Sequence, residues 1–132
     1  MAVINGLFDA MRVGDGEKVR SLFTESAQMG RVVVQDGIPT QRSGSPSGFA
    51  DAVGQPHDQV WDERVWDVKV HVDGDLASVW TPYAFYLGGT FSHCGANSFQ
   101  LIDGPEGWKI FYLIDTSRRD DCDIPDAVEQ QR

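Results

Sequence analysis

The stretch that decides the fold reads Leu76-Ala77-Ser78-Val79-Trp80-Thr81-Pro82-Tyr83-Ala84-Phe85-Tyr86-Leu87, then Gly88-Gly89, then Thr90-Phe91-Ser92-His93-Cys94-Gly95-Ala96-Asn97-Ser98-Phe99-Gln100-Leu101-Ile102. β-Branched and aromatic residues dominate the first arm, which favours a strand over a helix. Two glycines between two such runs signal a tight hairpin, because the turns that match strand twist need positive φ. Pro82 cannot donate to a ladder, so it is expected at a bulge or an unpaired edge position, where a kink would curl the sheet.

A second turn, Asp103-Gly104-Pro105-Glu106-Gly107, leads into a last strand from Trp108 to Thr116. Simple alternation places Trp108, Ile110, Tyr112 and Ile114 on one face and Phe111, Leu113 and Asp115 on the other. Both faces are largely apolar, whereas a strand with one wet face alternates apolar and polar. Both faces are therefore expected to be covered, one by helices and the other, the outer sheet face, by a second subunit in a homodimer, with a sheet folded tightly on itself as the alternative.

Upstream, Val3, Ile4, Leu7, Phe8 and Met11 fall at helical spacing and make one apolar stripe. Gly14-Asp15-Gly16 breaks that helix, and Asp15 caps a second one carrying Val19, Leu22 and Phe23. Arg31 to Gln35 reads as a strand, Asp36-Gly37 as a turn, and Ile38 to Arg42 as its return. Ser45-Pro46 starts a short helix through Phe49, Ala50 and Val53. Arg64 to Val72 reads as one further strand. Residues 1–119 are expected to form a single domain, and residues 120–132 a polar C-terminal tail.

Composition narrows the function classes. The chain has 132 residues, enough for one domain with its own core. Twenty acidic against eleven basic residues give a net charge of −9. That argues against a nucleic-acid or anionic-membrane surface, which needs a basic patch. No apolar run approaches a membrane span, and no leader is recognisable in Val3 to Met11, so a cytoplasmic address is the default expectation. Cys94 and Cys122 make no framework and no metal pattern, and Cys94 reads as a small buried hydrophobe. No cofactor motif and no metal-ligand spacing is present: there is no phosphate loop before a helix and no nucleophile elbow.

The order of elements, together with Asp73-Gly74-Asp75-Leu76-Ala77, Trp80-Thr81-Pro82-Tyr83 and Gly107-Trp108-Lys109-Ile110, resembles the nuclear transport factor two-like superfamily. Within it the chain is most similar to the SnoaL-like and lumazine-binding families of small bacterial proteins. The resemblance implies an α+β, cystatin-like cone: a strongly curved, mixed or antiparallel sheet wrapped around two to three N-terminal helices. It also implies an internal pocket and frequent homodimers. The same cone hosts isomerases, dehydratases, hydrolases and non-catalytic adaptors, so the fold alone does not name a reaction. One residue carries over: His93 matches an active-site histidine of scytalone dehydratase. The first helix holds no tyrosine, and no residue matches the general base of the ketosteroid isomerases.

The site expected from these observations centres on His93, whose pKa is tunable near neutrality and which can act as a general acid or base. Gly95 should leave space beside it. Asn97 and Phe99 share its strand face, and Asn97 could orient a carbonyl or hydroxyl of a ligand. Asp115, inside an apolar run, is the second catalytic candidate; its alternative is a salt bridge to Arg118 or Arg119. Trp80, Tyr83, Tyr86 and Tyr112 are amphipathic groups able to line a ligand cavity. The expected ligand is a small apolar or aromatic organic molecule. The expected activity is cofactor-free acid–base chemistry, with a non-catalytic binding or interaction module as the alternative.

Overall fold

The computed structural model describes residues 2–131. The helices are α1 (Ala2–Val13), α2 (Gly16–Ser21), α3 (Pro46–Gly54) and α4 (Asp126–Glu129). The strands are β1 (Phe23–Gln35), β2 (Ile38–Gly44), β3 (Trp61–Val65), β4 (Lys69–Asp73), β5 (Leu76–Leu87), β6 (Thr90–Gly104) and β7 (Gly107–Thr116). They form one curved mixed sheet in the order β2-β1-β7-β6-β5-β3, with β4 also on β5; β1 and β7 run parallel and the other pairs antiparallel. The α+β cone expected from the sequence is the observed architecture.

Local chemistry sets the boundaries. The Asp15 side chain accepts from Lys18 N at the start of α2, and Ser45 Oγ accepts from Gly48 N at 3.0 Å at the start of α3. Gly88 and Gly89, at φ +59° and +96°, form the two-residue turn between Leu87 and Thr90. The apolar stripe of α1, with Ile4, Leu7, Phe8 and Met11 buried, lies on Phe99, Leu101, Ile110 and Leu113 from the concave face.

Pro82 stays paired with Ala96 inside β5 and, on the other edge, stands at the gap between β3 and β4. Its carbonyl accepts from Trp66 N at 3.3 Å, so its missing N–H faces the same side, where β3 gives way to β4. The strand expected over Arg64–Val72 is therefore two strands, separated around Asp67, which takes φ +47°. β1 begins at Phe23, within the region expected to end the second helix.

Two bulges change which residues face inward. His93 pairs with Phe85, whereas Phe91 pairs with Tyr86, so Ser92 is the extra residue. Gln100 pairs with Tyr112 and Leu101 with Ile110, so Phe111 is the extra residue of β7. Because side chains alternate with period two, each one-residue shift moves the following set to the opposite face. Val79, Thr81, Tyr83 and Phe85 thus join His93, Asn97, Phe99, Leu113 and Asp115 on the concave face. Trp80, Tyr86 and Tyr112 lie on the convex face.

Two contacts hold the end of the chain against the domain, one at Cys122 and one at Val128–Glu129. Cys94 is buried as expected, but it forms a disulfide with Cys122, which corrects the reading that the two cysteines make no framework. Two isolated cysteines carry no pairing signal in sequence; here the bulged β6 and the backbone pairing of Cys94 with Arg118 bring them together. Val128 of α4 is buried, and Arg64 Nη1 donates to the carbonyls of Val128 and Glu129 at 2.9 and 3.1 Å. No helix among the described residues is long and apolar enough to cross a membrane.

Candidate active site

The concave face and the helices enclose a cavity of about 600 Å³. Its apolar wall comes from Leu7, Phe8 and Met11 of α1, Phe49 of α3, and Trp61, Phe85, Leu87, Phe99, Leu113 and Met29 of the sheet. His57 stacks on Trp61 at 4.2 Å between ring centres, and its Nε2 lies 2.8 Å from the Ala52 carbonyl. The volume is in the range of small-molecule sites, which combine apolar walls with a few placed polar groups.

Those polar groups follow strand register. Thr81 pairs with Asn97, Asn97 with Asp115, Asp115 with Arg31, and Arg31 with Arg42. Directly paired residues share a face, so five strands contribute one polar row across the concave side. A second row runs Glu63, Phe85, His93. The next row beneath, Val79, Phe99, Leu113 and Met29, is apolar.

His93 is half-buried, lines the cavity and touches Ser92 Oγ through Nδ1 at 3.0 Å. Its ring packs on Phe85 at 5.1 Å and edge-on to Tyr83 at 5.8 Å. No hydrogen bond to its Nε2 is present among the described residues. Burial, and then the positive charge of Arg31, hold its pKa below the usual value, so the ring is neutral at pH 7 and able to accept a proton.

Glu63 was not singled out by sequence. It lies in Trp61-Asp62-Glu63-Arg64, a charged run just before the strand expected from Arg64, yet β3 points it into the cavity. It is 9 % exposed, and Oε2 accepts from Asn97 Nδ2 at 2.7 Å. Burial pushes its carboxyl up to about 7, against the opposing effect of the Asn97 hydrogen bond; the negative charge of Asp115 adds to the rise. Asn97 Nδ2 also donates to Thr81 Oγ1 at 3.0 Å. Its amide hydrogens are thus spent on Glu63 and Thr81, and Asn97 positions Glu63 instead of donating to a ligand.

Asp115 faces the same cavity as His93, and its partner is Arg31, through two bonds of 2.8 Å. The salt bridge weighed at Arg118 or Arg119 is not formed: Arg118 instead donates to the carbonyls of Asp120 and Asp121. The fork with Asp115 raises the pKa of Arg31 further above its ordinary value.

The four aromatic candidates fare differently from expectation. Tyr83 is on the concave face but fully buried, with its hydroxyl donating to the Thr116 carbonyl at 2.6 Å, so it braces the wall and does not line the cavity. Burial, with Asp115 nearby, raises its pKa. Trp80 is half exposed on the convex face, Tyr86 lies there under the Arg64 guanidinium at 3.8 Å, and Tyr112 pairs with Gln100. The bulges at Ser92 and Phe111 account for all three departures. Phe99 lines the cavity as expected, edge-on to Phe8 at 6.4 Å. Gly95 leaves no space: a Cβ there would collide with the Thr116 carbonyl. No group of three or more His, Cys, Asp or Glu able to hold a metal occurs among the described residues.

No protein-family model matches the chain, and no curated protein sequence matches it. Solved structures do. One is a Mycobacterium tuberculosis protein of unknown function, at TM-score 0.69 and 19 % identity, over 89 % of this chain and 69 % of that one. A second is an NTF2-like protein with a cystatin-like fold from Novosphingobium aromaticivorans, at TM-score 0.66 and 17 % identity, over 98 % and 85 %. A third, from Streptomyces avermitilis, is described as an NTF2-like family member with a provisional dehydratase designation; it matches at TM-score 0.65 and 20 % identity, over 88 % and 91 %. The chain therefore has the NTF2-like, cystatin-like fold, a curved mixed sheet closed over N-terminal helices.

Proposed function

We propose that the cavity binds a small, largely apolar organic molecule and acts on it by cofactor-free acid–base chemistry, with His93 as the proton acceptor and Glu63 as the proton donor. The observation that carries this reading is their placement. Both side chains enter one apolar cavity from the same face, separated by the Phe85 strand. Two strand spacings put their backbones about 10 Å apart, enough to flank a ring-sized ligand. A neutral imidazole and a carboxyl group poised near neutrality suit removal and return of a proton at pH 7. The provisional dehydratase designation of the Streptomyces avermitilis neighbour is in keeping with this chemistry.

A second reading, ligand binding without turnover, draws on the closed pairing within the polar row. Asp115 is taken up by Arg31 and Asn97 by Glu63 and Thr81.

Kemp elimination of 5-nitrobenzisoxazole separates the two. A base removes the ring C–H proton, the N–O bond breaks, and a cyanophenolate leaves, with no cofactor. Catalysis predicts saturable turnover that His93→Ala abolishes while the probe still binds. Binding with equal conversion by wild type and His93→Ala would favour the second reading.

We also propose a homodimer through the convex face, where Trp80 and Leu76 are each 51 % exposed. Trp80→Asp should then shift the molecular mass in light scattering from dimer to monomer; a wild-type monomer would end this proposal. The disulfide supports an oxidising setting in preference to the cytoplasmic default.

A further inference from the structure

The polar row ends at Arg42, on the edge strand β2. Arg42 stands directly opposite Arg31 across the β1–β2 ladder, so two guanidiniums share one face. Like charges at directly opposed positions are destabilising unless an anion lies between or beside them. Arg31 has its anion, Asp115, in a two-bond fork. Arg42 has no salt-bridge partner among the described residues, is exposed to solvent, and lines the cavity. It is therefore the cavity's uncompensated cation, in a chain whose net charge is −9. The wall beyond it is built from flat or soft apolar groups, among them Phe8, Met11, Phe49, Trp61 and Phe85.

We propose that Arg42 is the anion-binding end of the cavity, and that the ligand is an amphipathic organic anion, an aromatic-sized apolar body ending in a carboxylate-type oxyanion. The inference rests on the small-molecule reading above and narrows it. The planar guanidinium matches a carboxylate through two parallel hydrogen bonds. The apolar body then lies along the aromatic wall toward His93. Because Arg42 is at the mouth and solvated, its attraction is partly screened by salt, whereas the apolar contacts are not.

The test uses 2-naphthoate and its neutral counterpart, 2-naphthamide, titrated calorimetrically into wild type and Arg42→Gln. The expected result is naphthoate binding roughly tenfold tighter than the amide in wild type, the size of one charge-assisted hydrogen-bond pair. In Arg42→Gln that preference should vanish while amide affinity stays the same, and added salt should weaken only the naphthoate. Equal affinities in wild type, or a preference that survives Arg42→Gln, would overturn the anion assignment and leave the apolar cavity reading standing. Failure of both probes to bind would remove the cavity reading and this inference together. Unchanged amide affinity also reports that the variant is folded.

Discussion

Glu63→Gln offers the sharpest perturbation of the buried network. The substitution keeps the shape of the side chain and its capacity to accept from Asn97 Nδ2, now 2.7 Å from Oε2. It removes only the ionisable proton. In the folded protein the carboxyl is pushed from 4.5 to about 7, chiefly by burial. The difference of 2.5 pH units (7 − 4.5), at about 1.4 kcal/mol each, makes the ionised form cost roughly 3 kcal/mol of stability. The sign follows from linkage: the folded state holds this proton more tightly than the unfolded chain. The group's contribution is fully present below pH 4.5 and is lost as pH rises through about 7. Wild type must therefore lose stability over that window through Glu63, and the glutamine variant must not. Urea unfolding followed by tryptophan fluorescence at pH 4.5, 6 and 8 measures this. The stability of Glu63→Gln relative to wild type should rise by about 3 kcal/mol between the lowest and highest pH. His93, whose lowered pKa acts in the opposite direction below pH 6.5, is present in both proteins and cancels. A difference that stays flat across the three pH values would refute the claim that Glu63 is a desolvated carboxylic acid.

Two further outcomes follow from the frame around the cavity. Gly95→Ala should destabilise the protein by roughly 2 kcal/mol or more, because the added methyl meets the Thr116 backbone and not a movable side-chain end; thermal unfolding reads this directly, and a neutral substitution would contradict the close approach. Reducing the Cys94–Cys122 bond, which spans 28 residues, should cost about 3.5 kcal/mol by loop entropy, seen as a lower urea midpoint with dithiothreitol; an unchanged midpoint would mean that the strap adds nothing.

Much of the frame was legible in sequence because its signals are local. The Gly88-Gly89 turn, the Ser45 cap and the α1 stripe each depend on a few adjacent residues. The site was less legible because its assembly is not local. One extra residue at Ser92 and one at Phe111 reversed the facing of Trp80, Tyr86 and Tyr112, and nothing in alternation alone marks a bulge. Arg31 reaches Asp115 across 84 positions, and only the parallel β1–β7 register brings them together. Glu63 was hidden in a charged run that resembles a solvated edge. A signal was available in retrospect: a glutamate flanked by strand-forming Trp61 and Val65, at the period that would turn it inward. His93, Asn97 and Phe99 fall on one face because β6 alternates without interruption from His93 to Phe99, whereas the side taken by Asp115 turns on the register across Asp103–Gly107 and is set by the bulge at Phe111.

The account depends on a neutral imidazole standing on the wall of an open chamber. A titration of the His93 ring by ¹⁵N-edited NMR, with and without 2-naphthoate, tests it most directly. The account predicts a free-protein midpoint below 6.5, and ring resonances that move on addition of the probe. A midpoint at or above 6.5, with resonances indifferent to the probe, would contradict it.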